Sequence, residues 1–311
     1  MCQLGGGGPQ TLFGWQVATG QTRPVGLAAG VGDDIPDSCI SWLQGAGCDL
    51  AGLQHISNMK TPRAWQITEW DGFRTQIWRT PACAELYRML RPKVSDIPRR
   101  LLGAKWFHLG INPDRPDHAY LAELRAATRD TGGGRFSIEP FVGASRPLTP
   151  PELSALVRAA DVVSPNLAEA RSMLGDDRAT PQGALEVLGD AGASVAVIRC
   201  GADGAYAADF TTNEAYFCPP YAHTKVKDVT GCGNSFMGAF LAGFSGEAKE
   251  VAGMPKSGMA RGLVWGHSAA SFMAECYGVP EGTPRELHGA AVSRVESLLV
   301  GDVLEEVTAL A

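Results

Sequence analysis

The chain has 311 residues, 45% of them hydrophobic, with a formal net charge of −6 and a pI near 5.6. That length and apolar content allow one large α/β core, while the acidic balance argues against nucleic acid as a partner. No apolar run is long enough to cross a membrane, and Met1 to Gln10 lacks the layout of a signal peptide, so a cytoplasmic location is expected.

In chain order, the run Gly5-Gly6-Gly7-Gly8-Pro9-Gln10 comes first, followed by Thr11 to Ala18, which reads as a helix. Val25 to Asp34 reads as a strand ending in a turn, and Ile35 to Gly45 as a helix. Residues 61 to 79 alternate around Trp70-Asp71-Gly72, a β-hairpin pattern with an Asp-Gly turn, forming a small β element at about 61–80. The basic stretch Arg91 to Arg100 is interrupted by Asp96 and two prolines and reads as a solvated loop.

Strand and helix signals then alternate. Strands are expected at 106–109, 136–139, 161–163 and 195–198, and helices at 119–128, 151–159, 167–174 and 182–188. Such alternation implies a mainly parallel sheet between helices on both faces, with ligands at the strands' carboxyl ends. Helices at 235–244, 259–273 and 287–299 complete the chain. No linker divides it, so 1–311 is expected to form a single domain.

The most informative segment is Asp228-Val229-Thr230-Gly231-Cys232-Gly233-Asn234-Ser235-Phe236, which leads into the last helical third. Small residues before a helix start leave backbone N–H groups unshielded, and the helix dipole adds positive potential, a setting for a transferring phosphate. A tight turn with glycines is the alternative. Cys232 lies where a thiolate would be favoured, although a small residue in place of Ala explains it as well. The eight cysteines include no Cys-x-x-Cys pair, which points away from zinc or a disulfide framework.

Asn166 and Glu169 stand three apart beyond a strand and could share a helix face, or could form an ordinary capping box. In Ile198-Arg199-Cys200-Gly201-Ala202-Asp203-Gly204, Arg199 could reach a phosphate while Gly201 and Gly204 admit close backbone approach, a plain β-turn being the alternative.

Taken together these motifs resemble the ribokinase-like PfkB family of sugar and nucleoside kinases, whose Asp-Thr-x-Gly-Ala-Gly-Asp signature is matched by Asp228 to Asn234. The resemblance implies a three-layer ribokinase-like α/β fold with a β lid and transfer of the ATP γ-phosphate to a hydroxyl of a small-molecule substrate. It assigns the anion hole to Gly231, Cys232 and Gly233, and the Mg²⁺ shell to Asn166 and Glu169. The nucleotide goes to Arg199, Gly201 and Gly204, and a monovalent cation such as K⁺ to the neighbourhood of Asp228 and Thr230. Gly6, Gly7, Gly8, Gln10, Asp34 and Glu139 fall to the substrate, and relatives often form homodimers through the lid. The family's base is an Asp, and Asn234 stands in its place, as in fungal members with Gly-Asn at this point. Asn cannot accept a proton near neutral pH, so a weak kinase and a nucleotide- or metabolite-binding pseudokinase both remain open. In the family the glycine run follows a first strand with a substrate-gripping Asp, a strand that is absent before Gly5 here unless the start codon has been misplaced.

Overall fold

The computed structural model describes residues 3–69, 74–79, 84–301 and 304–307. The glycine run begins the first helix rather than preceding it: α1 spans Gly7–Thr19, with Gly6 as N-cap at φ 90. Glycine takes that backbone region without steric cost, which is why the helix starts earlier than its apolar pattern suggests.

The strand expected over 25–34 is two strands, β1 (Val25–Gly26) and β2 (Ala29–Val31). After α2 (Asp37–Gly45) they pair in parallel with β3 (Cys48–Asp49) and β4 (Leu53–His55). A 3-10 turn at Leu50–Gly52 adds a residue to the partner side, so Gly26 faces Asp49 while Ala29 faces Leu53. That extra residue breaks the ladder.

The hairpin forms as β5 (Ala64–Thr68) and β6 (Arg74–Trp78), antiparallel, with Trp65 opposite Ile77. Its expected turn, Trp70-Asp71-Gly72, lies outside the described residues. An isolated two-stranded hairpin is marginal by itself, and this one is tied down by Asp34. The Asp34 carboxylate meets Arg63, just before β5, at 3.0 Å and Arg79, just after β6, at 2.8 Å, and accepts from the Thr61 N–H. The Arg79 hydrogen bond, acting against a burial penalty, holds its pKa far below the ordinary carboxylate range.

Because the folded-state pKa is depressed, the stability that the Asp34 anchor contributes is fully present above about pH 4 and is lost progressively as pH falls from there through the much lower folded-state value. Asp34→Asn is therefore expected to speed hydrogen exchange of the β5 and β6 amides at pH 7, and exchange as slow as in the unaltered chain would refute the anchor.

Two helices, α3 (Ala84–Leu90) and α4 (Arg99–Leu102), lead to the main sheet, and α4 replaces part of the expected basic loop. The first half alternates as expected: β7 (Trp106–Ile111), α5 (His118–Thr128), β8 (Arg135–Pro140), α6 (Pro150–Arg158), β9 (Val162–Val163), α7 (Leu167–Leu174), α8 (Pro181–Asp190) and β10 (Val195–Arg199). Then β11 (Ala205–Asp209) and β12 (Glu214–Cys218) follow directly, before α9 (Cys232–Phe244), α10 (Gly258–Ala274), α11 (Pro284–Val300) and β13 (Glu305–Glu306).

The order across the sheet is β13-β12-β11-β10-β9-β8-β7. Strands β7 to β10 run parallel and β10 to β13 antiparallel, so the mainly parallel sheet expected is a mixed one. A tight turn after Arg199 returns the chain to its neighbour, where a parallel partner would need a crossover helix. Residues Val195 to Ile198 of β10 are all apolar and buried because both faces of the strand are covered. Val195 and Val197 join the core with α1, α9, α10 and α11, and Ala196 and Ile198 join the core with α5 to α8.

Helices α1 and α9 pack in parallel with their starts side by side. A Cβ on Gly14 would stand 1.9 Å from the Ser235 carbonyl oxygen, and one on Gly238 1.9 Å from that of Thr11. Backbone against backbone at this range needs glycine on both helices. No strand precedes α1 among the described residues, and the outer edge of β7 has no strand partner there.

Candidate active site

A cleft of about 3030 Å³ opens between the lid, the carboxyl ends of β7, β8 and β10, and the starts of α1 and α9. Both helices begin from a glycine with no side-chain cap, whereas α7, α8, α10 and α11 begin from Asn, Thr or Ser caps. The Cys232 N–H donates to the Val229 carbonyl at 3.2 Å, whereas Gly233 and Asn234, next in the first turn of α9, line the cleft where the positive ends of two helix dipoles meet.

Gly231 caps α9 at φ 86, a conformation that favours glycine, and a Cβ there would strike the Gln10 amide at 2.1 Å. Upstream, Asp228 accepts from the Thr230 N–H at 2.9 Å, tightening the entry to this turn. Asn234 lies one turn into α9 and donates its amide to Gln10 Oε1 at 2.7 Å. Gln10 is only 2% exposed, yet its Nε2 has no hydrogen-bond partner. A buried donor left unmade costs about 1–3 kcal/mol, which marks this corner as built for an acceptor.

Burial, reinforced by Asp228 and Cys276, pushes the Cys232 pKa up to about 12, opposing the thiolate that its place at the helix start would favour.

On the other side of Gly233 stands a buried ionic cluster. Arg199, at the end of β10, has its Nη1 3.5 Å from Glu139 Oε2 and its Nη2 3.6 Å from Glu169 Oε2, and Nη2 donates to the Ser164 carbonyl at 2.7 Å. His108 on β7 joins from the strand beside Glu139, with Nε2 3.7 Å from Glu139 Oε1 and Nδ1 3.1 Å from Ser137 Oγ. Burial raises the Glu139 pKa, but Arg199 and His108 outweigh it, and the carboxyl ends below its ordinary value. The sequence reading missed His108, whose signal is a polar residue inside the otherwise apolar strand Trp106-Phe107-His108-Leu109.

Asn166 and Glu169 form the complete capping box of α7: Asn166 Oδ1 accepts from the Glu169 N–H and Glu169 Oε2 accepts from the Asn166 N–H, both at 2.8 Å. Each side chain thus caps the other residue's backbone N–H at the helix start, and both residues line the cleft. Gly201 lines the cleft, whereas Gly204, at φ 95, turns toward β12, where a Cβ would meet the Cys218 carbonyl at 2.5 Å. Asp34 does not line the cleft, because its oxygens point to the lid arginines. Gly6, Gly7, Gly8, Gln10, Glu139, Asn166, Glu169, Arg199, Asp228, Thr230 and Gly231 to Asn234 all do.

A mixed sheet between two helix layers, with a small β lid over the strand ends, is the ribokinase-like fold. The sequence pattern of pfkB family carbohydrate kinases matches residues 16–285, and the chain belongs to that family. It is similar to a cytidine kinase of Thermococcus kodakarensis, 28% identical over 223 residues, which are 71% of this chain and 74% of that protein.

Among solved structures, a fructokinase with bound ATP from Xylella fastidiosa superposes with a TM-score of 0.68 at 18% identity, covering 96% of this chain and 91% of the other. A candidate ribokinase II of E. coli in complex with ATP and Mg²⁺ gives 0.67 at 18% identity, covering 96% and 89%. The nucleoside kinase of Methanocaldococcus jannaschii gives 0.65 at 18% identity, covering 94% and 86%. At this identity these structures establish the fold.

Proposed function

We propose that the chain transfers the γ-phosphoryl group of ATP to a hydroxyl of a sugar, nucleoside or related small metabolite in the cytosol. The observation that carries this reading is the uncapped start of α9 beside a buried, unpartnered Gln10 Nε2, with Arg199 on its other flank. Backbone N–H groups and side-chain donors there would bind the terminal phosphate oxygens and hold them for an acceptor lying along Gly6 to Gly8. Phosphoryl transfer depends mainly on positioning and charge neutralisation, so a site without a base keeps much of its chemistry. Asn234 would orient the acceptor hydroxyl through its amide and leave the proton to solvent or to the leaving phosphate.

No cluster of three His, Cys, Asp or Glu residues among the described residues could cage a metal. The donor set instead fits a Mg²⁺ carried on the phosphates, with water between it and Glu169 or Asn166. Bound in that way the ion would neutralise phosphate charge. K⁺ near Asp228 and Thr230 belongs to the same reading, and its replacement by a large organic cation should slow turnover. Trp65, Ile67 and Ile77, exposed on one face of the lid, support a homodimer through that surface, which sedimentation equilibrium would detect.

The cytidine kinase and nucleoside kinase likenesses make cytidine the first acceptor to try. Incubation with ATP, Mg²⁺ and a panel of nucleosides and sugars should yield a phosphorylated product. The second reading, a pseudokinase, is favoured by Asn234, whose side chain has no site for a proton. It predicts calorimetric binding of ATP with no product from any acceptor.

A further inference from the structure

We infer that Gln66 and Gln76, an amide pair on the cleft face of the lid, read the edge of a planar nitrogenous ring on the acceptor, one with an amino group beside a ring nitrogen. The inference rests on the kinase reading above, whose acceptor it narrows to a chemical class.

The two faces of the hairpin differ in chemistry. Trp65, Ile67 and Ile77 share one face, while Ala64, Gln66, Gln76 and Trp78 share the other. All four residues of that second face line the cleft, which Ile67 and Ile77 do not. The Arg79 N–H donates to the Arg63 carbonyl at 2.8 Å, so 63 and 79 form a hydrogen-bonded pair of the ladder. By alternation Gln66 and Gln76 stand directly opposite each other in a non-hydrogen-bonded pair, the kind that sets side chains closest. Cβ atoms in such pairs lie about 4.5–5.5 Å apart, near enough for two amides to act on one ligand edge.

Gln66 Oε1 is shielded from solvent and has no hydrogen-bond partner among the described residues. An acceptor left in that state is costly, and this one belongs to the wall of a ligand cleft. An amide offers a carbonyl and an NH₂ side by side, the complement of an amino group next to a ring nitrogen. On the same face, two residues beyond Gln76, stands Trp78, 39% exposed and opposite Ala64, which is too small to cover the indole. A flat ring stacked on that indole would bring its edge to the amides. A sugar alone has no such planar edge. Nor does any carboxylate of the described lid residues line the cleft to grip hydroxyl groups, since Asp34 is held by Arg63 and Arg79.

Calorimetry in the presence of the non-hydrolysable analogue AMP-PNP and Mg²⁺ reads this contact without turnover. Cytidine or adenosine, whose bases carry an amino group beside a ring nitrogen, is expected to bind at least about tenfold more tightly than ribose or pyrimidin-2-one riboside, the cytidine analogue that lacks only the amino group. Gln66→Leu, similar in size but without the amide, should abolish that difference by weakening the amino nucleoside, and Gln76→Leu should reduce it. Thermal unfolding checks that both variants fold.

Equal binding of ribose or pyrimidin-2-one riboside, failure of every nucleoside to bind, or a preference unchanged in both folded variants would overturn the assignment while leaving the kinase reading intact. Absence of AMP-PNP binding would instead strike the kinase reading, and titrations of the same nucleosides without nucleotide would then decide the amide pair by the same criterion.

Discussion

Asn234→Asp is expected to raise the rate of ATP-dependent phosphorylation by about 10²-fold, the lower end of what a general base contributes. The lower end applies because the new carboxylate would sit in the first turn of α9, where the dipole, with Arg199 beyond Gly233, holds a carboxylate in its weakly basic ionised form. The hydrogen bond to Gln10 does not oppose the change. Asn234 now donates to Gln10 Oε1, and the adjacent Gln10 Nε2 is unpartnered, so a flip of the Gln10 amide turns the contact into a donation toward the carboxylate. Steady-state turnover with the best acceptor from the panel measures the gain. An unaltered or lower kcat in a folded variant would show that the limiting step does not involve proton removal at this position.

Gly14→Ala is expected to cost about 3 kcal/mol through overpacking, against a helix-propensity gain of only about 1 kcal/mol. The added Cβ would stand 1.9 Å from the Ser235 carbonyl oxygen and 2.9 Å from the Ala239 nitrogen. Both are backbone atoms of α9 and have no rotamer with which to escape. The two helices would have to separate, drawing Gln10 away from Asn234 and spreading the dipole ends that define the cleft. Gly289→Ala is the control: it lies on α11 with nothing within 4 Å of its Cβ position, and should stabilise by about 0.5–1 kcal/mol. Thermal unfolding compares the pair, with a fall of about 5 °C expected for Gly14→Ala. A Tm for Gly14→Ala equal to that of Gly289→Ala would mean that the contact between α1 and α9 is looser than it looks.

The helices were legible wherever an apolar face or a cap announced them. Leu167 to Leu174 was placed to the residue, because Asn166 and Gly175 mark its two ends. Strand β10 was legible as a short apolar run. Less legible were β3 and β4, which hold the strands after α1, since two- and three-residue strands carry no period. The antiparallel half of the sheet escaped for a related reason: a glycine turn after Arg199 reads alike whether the chain next pairs with a neighbour or passes a ligand.

The candidate site divides along the same line. Local order along the chain determined that Gly231 to Asn234 open a helix, that Asn166 caps another, and that the base position holds an amide, because caps, glycines and side-chain chemistry act within a few residues. Tertiary structure alone decided that Gln10 meets Asn234 across 224 positions, that Arg199 lies over Gly233 between two carboxylates, and that Asp34 anchors the lid. Those partners are far apart in sequence, and only burial in a shared low-dielectric corner brings their charges and unpaired donors close enough to act on one another.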